Sequence, residues 1–132
     1  MDETTMRDAL LVAAENAATR AYAPYSQFHV GAAVMLSDGT IVQGCNIENA
    51  SYGLSVCAER VAIWSAVAQG RQDIVGMGLI VPKGTPCGAC RQVMSEFCPP
   101  DMPVWVQNAD GTVHRFTVAE LLPAAFVPDD LE

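Results

Sequence analysis

A chain of 132 residues carries about one domain's worth of core, above the size at which disulfides or metals are usually needed to hold a small fold together. Apolar residues make up 51% and charged residues 17%, which excludes disorder as a description of the whole chain. Fifteen acidic against seven basic side chains give a formal net charge of -8, which sets the chain against nucleic-acid polymers and anionic membrane surfaces.

From Thr5 to about Tyr22, Met6, Leu10, Val12, Ala13 and Ala17 recur at helical spacing, with Thr4 or Thr5 placed to cap the start and Pro24 to end the run. Val30–Leu36 reads as a buried strand kept slim by Gly31 and two alanines. It turns at Ser37-Asp38-Gly39 into a second strand, Thr40–Cys45. A polar loop over 46–55 leads into a second helix from about Val56 to Gln69, closed by Gly70. Ile74–Val81 is almost wholly apolar, as expected of a strand covered on both faces. A third helix starts near Pro86 and runs to about Phe97. Pro103–Gln107 and Val113–Thr117 flank the turn Asn108-Ala109-Asp110-Gly111 as two further strands, and Thr117 with Glu120 has capping-box spacing for a last short helix stopped by Pro123. This order predicts an α/β fold, three layers α/β/α around a mixed sheet of about five strands, as a single domain over 1–132.

No apolar stretch approaches the roughly 20 residues that span a bilayer, so no membrane partner is expected. Met1-Asp2-Glu3 is acidic where a signal peptide would be basic, so the expected location is cytoplasmic, with five reduced cysteines available for metal binding or catalysis.

The strongest local signal is Pro86-Cys87-Gly88-Ala89-Cys90 at the start of the third helix, because a Cys-x-x-Cys pair can place two sulfurs on one metal ion. Cys57-Ala58-Glu59 opens the second helix in the same way. Helix N-termini stabilise thiolates, and two of them aimed at one spot would assemble three sulfurs, leaving the fourth tetrahedral position of zinc open to water. Glu59, two residues beyond Cys57, would stand beside that position as a proton carrier. Other readings stay open on these residues alone: a redox pair, two core thiols, or a closed structural zinc recruiting Cys45 or Cys98. A lone glutamate in a first turn can equally be dipole compensation.

A Cys or His ligand, a non-ligating Glu and a Pro-Cys-x-x-Cys pair together form the signature of zinc deaminases of nucleobases. The sequence resembles the small, all-cysteine cytidine deaminases over roughly Ala21–Phe126. The blocks that carry the likeness are Ala21-Tyr22-Ala23-Pro24-Tyr25-Ser26, Phe28 with Val30-Gly31-Ala32-Ala33, the run from Gly44 to Gly53, Cys57-Ala58-Glu59-Arg60, Pro86 to Gln92, and the tail Leu121 to Phe126. The resemblance implies Cys57, Cys87 and Cys90 as zinc ligands, Glu59 as the catalytic proton shuttle, and Arg60 as a charge balance for the thiolates. It also implies Phe28, Asn46, Glu48 and Ala58 as substrate-binding residues, and Phe126 as an aromatic group given to a neighbouring subunit's site within a homotetramer. Asn plus Glu supplies both donors and acceptors to a neutral ribose, and there is no Gly-rich phosphate loop. Read without the resemblance, Asn46 and Glu48 are turn residues, Phe28 a core residue and Phe126 a tail anchor. Two departures stand out: His29 occupies a position where that family usually has Pro, and Val81–Thr85 is shorter than in many members.

The function expected is zinc-dependent hydrolytic deamination of cytidine and 2'-deoxycytidine in pyrimidine salvage. A deaminase of antibiotic cytosine nucleosides of the blasticidin S type and a non-enzymatic zinc-stabilised interaction domain are the rivals. Cys45 and Cys98 read as buried structural thiols.

Overall fold

The computed structural model of the chain describes residues 1–131. Helix α1 (Glu3–Ala18) is followed by strands β1 (Gly31–Leu36) and β2 (Ile41–Cys45), a 3-10 turn at Tyr52–Leu54, helix α2 (Ala58–Ala68) and strand β3 (Ile74–Ile80). Helix α3 (Gly88–Phe97), strands β4 (Pro103–Gln107) and β5 (Val113–Thr117), and the short α4 (Val118–Leu121) complete the order. The five strands form one mixed sheet, β2-β1-β3-β4-β5. Only β3 and β4 are parallel, because α3 carries the chain back between them.

The period-2 alternation of β1 explains the three layers. Ala32, Val34 and Leu36 face a core shared with Ala58, Ala62 and Ile63 of α2 and with Cys90 and Met94 of α3. Ala33 and Met35 point the other way, onto Leu10, Leu11 and Ala14 of α1. Two glycines set how closely the helices approach. A Cβ on Gly44 would lie 2.4 Å from the Ala62 nitrogen and 2.6 Å from the Ala58 oxygen, so α2 rests directly on β2. A Cβ on Gly31 would lie 1.8 Å from the Ala14 oxygen, which fixes α1 against β1. The first of these contacts matters for chemistry, since Ala58 follows Cys57.

Strands β4 and β5 and the Thr117/Glu120 capping box fall where the sequence places them. Four expectations need correction. Asp2, not Thr4 or Thr5, caps α1, its carboxylate accepting from the Thr5 amide at 2.7 Å. The first helix ends at Ala18, well before Pro24, because Tyr22 is drawn into bridging hydrogen bonds with the Asn46 carbonyl and the Glu48 amide. Val56 pairs with Ile47 through both backbone groups, which delays α2 to Ala58. Pro86 precedes the N-cap of α3 and is not in its first turn.

Candidate active site

Cys57 and Cys87 are the N-cap residues of α2 and α3, both in extended backbone conformation and neither engaged in capping its own helix. A Ser or Asp at such a position would turn its oxygen onto the first-turn amides. A cysteine leaves its sulfur free, held at the positive end of the helix dipole, where a thiolate is favoured. The two helix starts meet beside the end of β3. The Sγ atoms of Cys57, Cys87 and Cys90 all lie within 4.8 Å of one another. Cys57 and Cys87 are 3.8 Å apart and Cys87 and Cys90 3.3 Å. A tetrahedral zinc with bonds of about 2.3 Å needs sulfurs about 3.8 Å apart, so the trio fits the ion with little movement. Among the described residues no other group of three or more such side chains could hold a metal.

Cys57 and Cys90 are pushed in opposite directions. Hydrogen bonding from the Cys90 thiol, helped by Arg60 and Cys87 and opposed by burial, brings Cys57 down to about 5. Cys90 moves the opposite way, because it holds the shared proton and is buried beside Glu59. Arg60 lies 3.5 Å from Cys57 Sγ through Nη2 and 5.7 Å from the centre of the Trp64 ring. Its Nε is buried without a partner. A cation fixed here by stacking offsets the negative charge that three thiolates bring to a divalent ion.

Glu59, in the first turn of α2, is only 4% exposed. Burial pushes its carboxyl up to about 7, the thiolate character of Cys57 adding to the shift and its own backbone amide opposing it. A carboxyl poised near neutrality can both accept and return a proton. It lines a cleft of about 290 Å³ together with Cys57, Ala58, Cys87, Phe28, Asn46 and Glu48. Thus the structure brings most of the expected site into one place. Cys90 lies beneath, fully buried, and Arg60 stands behind Cys57. Phe126 is outside the cleft, 57% exposed, on a tail whose carbonyl at this residue accepts from Gln92 Nε2 at 2.9 Å.

Asn46 and Glu48 also hold the cleft's rim. Asn46 accepts from the Val30 amide at 3.0 Å and donates to the Phe28 carbonyl at 2.7 Å, so it fixes the segment that presents Phe28. One N–H and one lone pair of its amide remain for a ligand. The Glu48 carboxylate accepts from the Tyr25 and Ser26 amides at 3.0 and 3.1 Å and from Ser26 Oγ. The Ser26 hydroxyl, ahead of the two amides, keeps that carboxylate below its ordinary range. The turn chemistry and the ligand role expected for these two residues are therefore compatible.

Cys98 is buried, and burial alone raises its thiol to about 12. Cys45 is only half-buried, against expectation, because it sits on edge strand β2 with its sulfur 3.5 Å from the Arg20 carbonyl. Neither joins the trio, which overturns the closed four-cysteine alternative. Ser26, Ser55, Thr85 and Leu79 line the cleft with no role assigned from sequence. Ser26 could have been found from its place between Tyr25 and Phe28 in a turn; Leu79 carries no signal beyond strand hydrophobicity.

Residues 4–106 match the family described as the cytidine and deoxycytidylate deaminase zinc-binding region. The chain belongs to that family. Zinc is its cofactor, and the three sulfurs are the group suited to hold it. The chain is 48% identical to a cytidine deaminase of Halalkalibacterium halodurans over 128 residues, covering 95% of this chain and 97% of the relative. It is 46% identical to one from Sporosarcina psychrophila, covering 92% of each. The crystal structure of cytidine deaminase from Burkholderia pseudomallei superposes with a TM-score of 0.88 at 44% identity, covering 96% of this chain and all of that one. The α/β architecture of this deaminase family thus coincides with the fold described above.

Proposed function

We propose that the chain catalyses the hydrolytic deamination of cytidine and 2'-deoxycytidine to uridine and 2'-deoxyuridine with release of ammonia, acting as a single catalytic domain. One observation carries the reading: a buried carboxyl beside three convergent sulfurs lines the same cleft as Asn46 and Glu48, and no lysine or arginine is among that cleft's lining residues. Bound zinc supplies a Lewis acid that makes water nucleophilic at neutral pH. Cys57, Cys87 and Cys90 would hold it, with Arg60 offsetting their charge. Glu59 takes a proton from the water that attacks C4 and delivers it to N3. It then carries the second proton of that water to the exocyclic amine, so the C4–N bond breaks as neutral ammonia leaves and the C4 carbonyl forms. Phe28 packs on the pyrimidine, the backbone at Ala58 borders it, and Asn46 and Glu48 take the ribose hydroxyls.

No lysine or arginine is among the residues that line the cleft, which favours nucleosides over nucleotides. A 5'-phosphate would find no guanidinium or ammonium there and would meet the Glu48 carboxylate. Comparing cytidine, 2'-deoxycytidine, CMP, cytosine and blasticidin S by ultraviolet change tests the reading. Turnover of the first two with at least tenfold preference over the others is expected. Preferred turnover of CMP or of blasticidin S would replace it.

We further place the protein in the cytoplasm, in pyrimidine salvage, as a homotetramer with shared sites. Among the described residues no helix is long and apolar enough to cross a membrane. Tyr25, Phe28, Tyr52 and Leu54 are exposed around the cleft, and Phe126 is exposed on the tail, the apolar surface that subunit contacts would cover. If Phe126 completes a neighbour's site, Phe126→Ala should raise KM for cytidine by about 10–100-fold, the scale of one lost aromatic contact of roughly 1.5–3 kcal/mol. Zinc content should not change, and activity should fall on dilution through the dissociation range. A fully active monomer by light scattering would rule out the shared site.

A further inference from the structure

Cys87 is the vulnerable member of the trio. Cys90 is fully buried within α3 and Cys57 is half-buried, whereas Cys87 is exposed at the end of the loop that leaves β3. An ion leaving the site would first have to lose the sulfur whose backbone can move. What restrains that backbone decides how long the ion stays.

The loop is tied at both ends by side chains from elsewhere. Asn108 Nδ2 donates to the Val81 and Gly84 carbonyls at 3.2 and 3.1 Å, holding the first half. Among the described residues, the side chain that hydrogen-bonds the second half from outside the loop is that of Arg91. Its Nε donates to the Pro86 carbonyl at 2.7 Å, its Nη2 to Thr85 Oγ1 at 2.8 Å and its Nη1 to the Leu121 carbonyl at 2.8 Å. Its backbone amide meanwhile donates to the Cys87 carbonyl at 3.0 Å. The 87 contact is the first backbone bond of α3, whereas the guanidinium grips the two positions just before Cys87, 85 and 86, and anchors them to the last carbonyl of α4. The planar fork of a guanidinium can satisfy three acceptors in fixed directions, and an ammonium on a flexible stem cannot.

We infer that Arg91 is a positioning residue that locks Cys87 in place and thereby sets the rate at which the site releases zinc. The inference rests on the zinc-deaminase reading and deepens it. Arg91 bonds to none of the three sulfurs; it acts through Thr85 and Pro86, the two residues that precede the Cys87 N-cap. Groups that orient metal ligands at one remove typically change metal affinity or activity by about 10–100-fold when altered.

The test is the rate of zinc release from the intact, zinc-loaded chain to an excess of chelator, read with a zinc-sensitive dye. Arg91→Lys keeps the positive charge near the thiolates and removes the fork, so electrostatics and positioning separate. Release should accelerate by roughly tenfold or more in Arg91→Lys, and by less in Thr85→Val, which loses one of the three side-chain contacts. Because the route is local opening of the loop, the accelerated rate should depend only weakly on urea well below the unfolding midpoint. Release at the wild-type rate in Arg91→Lys would overturn the inference. So would an increase that rises steeply with urea in step with global unfolding, which is the signature of a merely structural contact. A wild-type protein that holds zinc and fails to deaminate cytidine would instead sink the functional reading, and the release rates would still decide the role of Arg91.

Discussion

Glu59→Gln is expected to retain zinc, fold and nucleoside binding while losing nearly all turnover. Glutamine matches the size of the buried side chain, so the packing of α2 against β2 and the cleft wall is preserved. An amide cannot take a proton from water or return one to nitrogen. General acid–base groups contribute typically about 10²–10⁴ in rate, and Glu59 carries two protons in one cycle, which places the loss at or beyond the upper end, about 5.5 kcal/mol of barrier. The fall should appear in kcat, with KM much less affected, because the group acts on the transition state. Burial that raises the carboxyl toward 7 is the physical preparation for the role: in the metal-free protein it stays protonated well above the ordinary carboxylate range. Steady-state kinetics with parallel metal analysis checks the prediction, and near-normal kcat would reassign Glu59 to dipole compensation at the start of α2.

Cys87→Ala should cost the metal and, with it, part of the fold's stability. Two sulfurs remain, one at a helix N-cap and one buried in α3, too few for a zinc site that must also keep a position open to water. Because binding to the folded chain is linked to folding, the zinc-loaded wild type should melt well above its chelated form, and Cys87→Ala should melt with the chelated form whether or not zinc is added. The alanine itself removes only an exposed sulfur, so little of the loss can come from packing. Calorimetry on the four samples separates the two contributions. Full zinc content in the variant would show that Cys87 is not a ligand.

Much of this was legible because the signals are local. A strand of small apolar residues, a capping box four residues wide and a cysteine pair spaced three residues apart each announce themselves within a few positions, and Val113–Thr117 and Thr117/Glu120 are where their patterns put them. Convergence of Cys57 with Cys87 was a topological inference from two helix starts, and it holds because Gly44 lets α2 lie against the sheet. Other features depend on partners far along the chain. The early end of α1 is set by bridging between Tyr22 and residues 46 and 48, and Arg91 finds Leu121 thirty residues away. Arg91 follows the cysteine pair in sequence, but nothing there announces that its guanidinium reaches back to Thr85 and Pro86 and across to Leu121. Choosing Asp2 over Thr4 or Thr5 as the cap turns on two or three residues of register, below what a pattern of apolar spacing resolves.

If zinc on three cysteines makes this chain a hydrolase of cytidine, its activity must follow the metal, which one titration measures directly. Metal-free protein is supplied with increasing zinc, and ammonia release from cytidine is measured at each step beside the bound metal. The account predicts no activity without zinc, a linear rise with occupancy, and a plateau at one zinc per chain, with one ammonia and one uridine formed per cytidine consumed. Ammonia released at full rate by metal-free protein, or zinc bound one per chain with no ammonia at all, would contradict it.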